Sequence, residues 1–376
     1  MSSSIVGIDI GSTTLRAVEV RNPEKARPTV LRYCEAPLPV GAVSGGEVLE
    51  PHTVAAALKA LWSNGGFRSR QVVLGMGSQR VLARDLSVPK MSLARIRQSL
   101  PFEVQDLLPV PVSDALLDFY PISESTTEHG PTVNGLLIAA VKAAVLANVS
   151  AARLAGLTTV DVDLIPFAVS RLLVTRPGTE GVLAVVDLGG TTTSVVITRD
   201  GVPQFVRIIP TGGNDVTQAL AADLQTDAAS ADLIKRRVGL HAAANGAATR
   251  TRSRFADIAP TAHFDGVIAG GPLPVDETAA RIIAETMYDQ LTSVANTLNY
   301  YANTRPNDPV SGIVLSGGGA QLAGLPEAMS QFTRLGVTTG DPFSTVALAS
   351  AIDAEALRLS GTEYTVALGL ALGRAA

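Results

Sequence analysis

The chain has 376 residues, 46% of them hydrophobic and 17% charged, which excludes a disordered chain and predicts a globular protein of two or more domains. A net charge of −4 and a pI near 5.7 argue against holding nucleic acid by bulk electrostatics. The single cysteine, Cys34, leaves no partner for an intrachain disulfide, which fits a reducing compartment.

The N-terminus runs from MSSS directly into a strand, without the pattern of a signal peptide. Three antiparallel strands are predicted over residues 5–10, 15–20 and 29–36, with Cys34 as a small core residue on the third. A loop over 41–46 precedes a helix over 52–64. Val54, Leu58, Leu61 and Trp62 form its apolar stripe, and Asn64-Gly65-Gly66 ends it.

Residues 72–157 read as a compact α+β unit. Strands are predicted over 72–77 and 81–88, then a helix over 92–108 that Ser92 can cap and that Pro109 and Pro111 stop. A strand over 115–122, a polar loop over 123–130 and a strand over 133–141 follow, and a helix runs to about 157. The apolar run 136–157 is interrupted by Lys142, Asn148 and Arg153, so a buried strand and helix explain it better than a membrane span.

A short strand then passes into a helix over 158–173, with Asp163 just ahead of Pro166. Strands are predicted over 182–188, 194–198 and 202–210, and helices over 216–224 and 231–238. The Ala- and Arg-rich stretch 241–264 reads as a long loop. The longest helix is predicted over 274–303, with a core stripe from Ile282 to Tyr301. A strand over 313–316 runs into Gly317-Gly318-Gly319, and helices over 325–335, 345–359 and 362–372 close the chain.

Chemistry concentrates in two similar hairpins. Residues 182–200 read strand, Asp187, Gly189, Gly190, Thr191, Thr192, Thr193, strand. Residues 6–20 repeat the grammar with Asp9, Gly11, Ser12, Thr13 and Thr14. Glycines let backbone N–H groups approach a phosphate, threonine hydroxyls add hydrogen bonds, and a strand-end Asp can hold Mg²⁺ through water. Gly212, Gly213 and Asn214 open a helix, whose unpaired N–H groups would form an anion site.

The two hairpins and the stretch 313–325, a strand running into Gly317-Gly318-Gly319, in this order resemble the actin-like ATPase superfamily: two phosphate loops and a Gly-rich adenosine segment. Within it the chain is similar to PilM, with FtsA-type proteins next; the F-E-x-x-x-x-L-P-x-P run beginning at Phe102 and the later Leu117-Asp118-Phe119 and Asp341-Pro342-Phe343 carry the PilM likeness. The resemblance implies an α/β fold: a duplicated actin-like (ribonuclease H-like) ATPase with a small inserted α+β subdomain of the FtsA/PilM type. It divides the chain into a first lobe over 1–71 and 158–178, an insert over 72–157, and a second lobe over 179–376 that carries its own insertion at about 225–275.

The resemblance further implies ATP and Mg²⁺ in the cleft between the lobes. Asp9 and Asp187 would hold Mg²⁺ through water. Gly11, Ser12, Thr13, Thr14, Gly189, Gly190 and Thr191 to Thr193 would frame the phosphates. Arg16 stands where relatives often carry Lys; it is a phosphate contact or a solvated strand charge. Gly212, Gly213, Asn214, Asp232, Lys235, Gly317, Gly318, Gly319 and Gln321 would surround sugar and base, although relatives usually carry Glu at the position of Asp232. Asp163 either positions the attacking water or only meets a helix dipole. The implied role is a cytoplasmic scaffold at the inner face of the plasma membrane, with slow or no hydrolysis. It would hold the N-terminal cytoplasmic tail of a PilN-like protein, with pilus motor ATPases as further partners and neither nucleic-acid binding nor direct membrane insertion. Alternatives are an FtsA-like filament protein and a sugar kinase. For the insert, the alternative is a structural role without a peptide ligand.

Overall fold

The computed structural model describes residues 4–128, 130–240 and 275–373. Strands β1 (Ser4–Ile10), β2 (Thr14–Arg21) and β3 (Thr29–Pro37) form an antiparallel meander. The short pair β4 (Val43–Ser44) and β5 (Glu47–Val48) leads to helix α1 (Pro51–Gly65), which starts on a proline and ends on left-handed Gly66. Strand β6 (Gln71–Met76) returns parallel to β1. The chain then builds β7 (Leu82–Pro89), α2 (Leu93–Glu103), β8 (Ala115–Thr127) and β9 (Gly130–Val141). It returns through α3 (Lys142–Leu154), β10 (Thr158–Leu164) and α4 (Ile165–Ser170).

The second half repeats the plan. Strands β11 (Val182–Leu188), β12 (Thr193–Arg199) and β13 (Val202–Ile209) form a meander, followed by helices α5 (Gly213–Asp223), α6 (Ala228–Val238) and α7 (Val275–Thr304). Then come β14 (Gly312–Ser316), α8 (Leu325–Thr333), β15 (Gly336–Thr339), β16 (Ala347–Leu348), α9 (Ala354–Leu359) and α10 (Thr365–Ala371).

The duplication is visible in the sheets. The first runs β10-β6-β1-β2-β3-β16 and the second β15-β14-β11-β12-β13. In both, a meander is extended on the side of its first strand by two parallel strands. Parallel neighbours require long crossovers, which the helices supply. A third sheet, β7-β9-β8, has α2 packed on it and its β7 edge beside β13 of the second sheet.

Three assignments move. Strand β6 and helix α3, expected in the insert, belong to the first lobe: β6 pairs with β1 and β10, and α3 packs with α1 in one core. The expected helix over 345–359 is instead β16, paired with β3, and the short α9. Residues 347–371, expected in the second lobe, thus cross back to the first. The reason is α10, where Ala367, Leu368, Leu370 and Ala371 are all fully buried. A helix apolar on every side has to lie inside. It does so at very short range: a Cβ on Gly7 would stand 1.9 Å from the Ala367 carbonyl oxygen, and one on Gly369 would stand 2.3 Å from that of Ala168. Helices α4 and α10 form a layer between the lobes, their apolar side chains sharing one core with Val18 and Val73 of the first sheet and Val185 and Val196 of the second.

The polar loop expected over 123–130 is also a correction, because β8 and β9 continue as a ladder from Ala115↔Val141 to Thr127↔Gly130. The Arg-rich stretch 241–264, and most of the insertion expected at 225–275, lie outside the described residues. Among the described residues, no helix is long and apolar enough to cross a membrane.

Candidate functional site

The two hairpin turns are built alike. The Gly11 N–H donates to the Thr14 carbonyl at 3.1 Å, and the Gly189 N–H donates to the Thr192 carbonyl at 2.9 Å. A Cβ on Gly11 would sit 2.8 Å from the Thr14 oxygen, and one on Gly189 would sit 2.9 Å from the Thr192 oxygen. Each turn therefore needs its glycine for the same steric reason. Asp9 and Asp187 stand two residues before those glycines, at the ends of β1 and β11.

The turns face each other. Asn214 Nδ2, at the start of α5, donates to Ser12 Oγ at 3.2 Å, and a Cβ on Gly190 would fall 2.5 Å from that same Oγ. The first hairpin turn thus meets the second turn and α5 across the interlobe cleft.

Asp187 is 7% exposed, and its Oδ1 has no hydrogen-bond partner. Its register neighbours are Ser194 on β12 and Ser316 on β14, whose buried hydroxyls are also unpaired. Burial pushes the Asp187 carboxyl up to about 7. The charge of Asp9 adds to this, and the adjacent Ser316 hydroxyl pulls the other way without reaching hydrogen-bond geometry. Asp9 keeps some surface at the cleft, but protein atoms crowd its carboxyl; that burial pushes it up to about 6, with Arg16 opposite it on β2 pulling back. Two crowded carboxylates and three unsatisfied oxygens suit a hydrated divalent cation, which would supply the missing charge and the water ligands.

Glycines from other elements converge on the second turn. Gly213 and Asn214 donate their N–H groups to the carbonyls of Gly189 and Gly190 at 2.9 and 2.8 Å, and the Gly212 N–H donates to the Asp215 carboxylate at 2.9 Å. The α5 N-terminus is therefore not the open anion site expected: its donors brace the turn. Gly317 has φ +84°, and a Cβ there would lie 2.4 Å from the Leu188 oxygen; Gly319 is pressed against the Leu188 side chain. Gly318 faces open space, so the Gly-rich turn lies against β11 with one glycine free to meet a ligand.

Other expected residues are held by protein partners. Thr193 is fully buried; its hydroxyl donates to the Thr211 carbonyl at 2.8 Å and accepts from Gln290 at 2.7 Å, so it supports the turn from beneath rather than lining the cleft. Lys235 donates to Thr217 Oγ1 at 2.7 Å and to the Gly213 carbonyl at 3.2 Å, and pairs with Asp232 at 2.7 Å. Arg16 pairs with Glu363 at 2.9 Å and Glu35 at 3.3 Å. Gln321 donates to the Ser360 carbonyl at 2.7 Å. Thr13 is exposed, and Thr14 and Thr191 are half-buried at the turns. Asp163 pairs with Arg171 at 2.8 Å, and its strand lies two strand spacings, about 10 Å, from that of Asp9, with β6 between them.

Three site residues escaped the sequence. Ser194 and Ser316 had a faint signal, as polar residues in otherwise apolar strands. Glu363 had none, because 347 residues separate it from Arg16.

Two lobes of one plan, with Asp-Gly turns meeting between them, define an actin-like ATPase fold. The chain belongs to the PilM family of type IV pilus assembly proteins, whose model matches residues 7–245. The model for cell division protein FtsA matches residues 184–369. A solved structure titled as the PilM–PilN type IV pilus biogenesis complex contains a chain 27% identical to this one, covering 100% of both at a TM-score of 0.79. MreB5 of Spiroplasma citri bound to AMPPNP is 12% identical over 98% of this chain and 95% of its own, at a TM-score of 0.53, a likeness of fold alone. A chaperone protein HscA homolog of Acidovorax sp. (strain JS42) is 32% identical over 221 residues, which are 56% of this chain and only 34% of that protein.

Proposed function

We propose that this type IV pilus assembly protein binds ATP with Mg²⁺ between its lobes and holds the cytoplasmic N-terminal tail of a PilN-like inner-membrane protein, with slow or no hydrolysis. The observation that carries the nucleotide reading is the pair of facing turns with Asp9 and Asp187 crowded behind them and Asp187 Oδ1 unpaired. Asp9 and Asp187 would hold Mg²⁺ through water. Ser12, Thr13, Thr14 and the 189–192 turn would meet the phosphates, and Gly213, Lys235 and Gly318 the sugar and base. The metal would neutralise phosphate charge, and these residues would orient the nucleotide and close the cleft on it.

The pairing of Asp163 with Arg171, which commits the water-positioning candidate to a protein partner, supports low turnover. The partner reading rests on the likeness, over both full lengths, to a chain of the PilM–PilN complex. It also rests on the β7-β9-β8 sheet, whose β8 edge pairs with no further strand among the described residues and can accept an extended peptide. On this reading the protein would sit at the cytoplasmic face of the inner membrane, held there by its partner.

Calorimetric titration of the full chain with ATP and Mg²⁺ tests the first part. Saturable binding that Asp187→Ala removes is expected; no heat with the wild type would overturn it. Titration with the tail peptide, with and without ATP–Mg²⁺, tests the second. The FtsA match favours one rival, a nucleotide-dependent filament, which sedimentation with ATP would detect.

A further inference from the structure

The outer face of the first lobe, away from α4 and α10, is covered by α1 and α3. Residues 51–70 and 142–157, which make this layer and the turns at its edge, contain five Lys and Arg and no Asp or Glu, in a chain whose net charge is −4. The five are Lys59, Arg68, Arg70, Lys142 and Arg153. All are exposed, and among the described residues none forms an ion pair. The acids at the entry to α1 are already engaged: Glu50 accepts from the Thr53 hydroxyl at 2.8 Å, and Glu47 from Arg80 Nε at 2.7 Å.

The pattern along α3 is specific. Lys142, Leu146 and Arg153 lie on one stripe of the helix, at steps of one and two turns. Leu146 is 52% exposed, an apolar side chain between two cations. Beside the helices, Lys59 and Arg70 rim an open pocket of about 420 Å³ floored by Trp62 and Phe67, whose rings lie 4.9 Å apart.

We propose that this α1–α3 face docks on an anionic lipid bilayer. Its cations are spread rather than clustered: Lys142 and Arg153 are about 16 Å apart along the helix axis, well beyond one physiological Debye length of about 8 Å. A dispersed field matches a laterally extended anionic surface better than a compact acidic epitope. The exposed Leu146 between two cations can enter the interface as one apolar side chain while the cations meet the headgroups. The proposal adds to the reading of a membrane-proximal protein, and rests on it for the presence of a bilayer nearby.

Sedimentation of the full chain with vesicles tests it, without nucleotide or peptide. Binding is expected to phosphatidylcholine vesicles containing phosphatidylglycerol and not to phosphatidylcholine alone. It should fall at least about tenfold between about 0.1 M and about 0.5 M NaCl. The triple variant Lys59→Gln, Lys142→Gln, Arg153→Gln should lose at least about tenfold in vesicle affinity while keeping its melting temperature and ATP affinity. Leu146→Asp, at an exposed position, is a second variant expected to weaken binding. Wild type that ignores anionic vesicles overturns the proposal, including the case in which this face retains an acidic protein instead. Equal binding to neutral vesicles, or by both variants, also overturns it. Nucleotide and tail-peptide titrations are read separately, so their failure is distinguishable from failure of the lipid face.

Discussion

Ser12 and Asn214, 202 residues apart in sequence, are joined by a 3.2 Å hydrogen bond that ties the first hairpin turn to the helix bracing the second. It links the lobes at the point where a phosphate is expected. Asn214→Ala should cost the nucleotide-free protein about 1 kcal/mol, the ordinary worth of one such bond. Amide exchange at Gly11 to Thr14 should quicken. Unchanged exchange would mean that other contacts hold the cleft together.

The carboxyls of Asp9 and Asp187 predict an unusual pH response. Both rise above the ordinary 3.8, to about 6 and about 7. A raised carboxyl pKa means that the folded state holds the proton more tightly than the unfolded one. The associated stability is therefore fully present below pH 3.8 and is lost as pH rises through about 7. In chelator, Asp187→Asn should remove most of this loss and melt higher than the wild type at pH 8, by at most about 4 kcal/mol. ATP–Mg²⁺ should reverse the order, stabilising the wild type and not the variant. Melting curves across pH 4 to about 8 check both.

Neighbouring glycines of the Gly-rich turn should behave oppositely. Gly317→Ala meets both a left-handed backbone, φ +84°, and the Leu188 oxygen at 2.4 Å, so it should cost about 2 kcal/mol or more in stability. Gly318→Ala meets nothing within 4 Å and should leave the melting temperature unchanged. If the nucleotide lies there, the added methyl should weaken ATP about tenfold, ~1.4 kcal/mol. Full ATP affinity in Gly318→Ala would move the base elsewhere.

Helix α10 is core rather than appendage. Leu368→Ala or Leu370→Ala, both fully buried, should each cost about 2–5 kcal/mol. A chain ending at Ser360 should fail to yield soluble protein, because α10's share of the layer between the sheets is gone and α4 is left uncovered. Circular dichroism and soluble yield check this; a folded truncated protein would show that the first lobe holds without it.

Much of the fold was legible because strand periodicity is local. The meanders, the long α7 and the repeated Asp-Gly turns appear at nearly their predicted places. The turns could be read as a pair because each needs the same residues for the same backbone reason. Thr193 was misplaced because alternation along a strand names two faces without saying which one looks into the cleft.

The order of amino acids was enough to specify two copies of a strand–turn–strand unit with a carboxylate at each strand end, since sterics and side-chain alternation act over a few residues. Contacts across hundreds of residues settled the remainder. They bring Glu363 to Arg16, return β16 and α10 to the first lobe, and direct the α5 amides to the Gly189 and Gly190 carbonyls instead of a ligand. These outcomes depend on which apolar faces bury against each other and which polar groups are then left to find partners, and no local pattern encodes that choice.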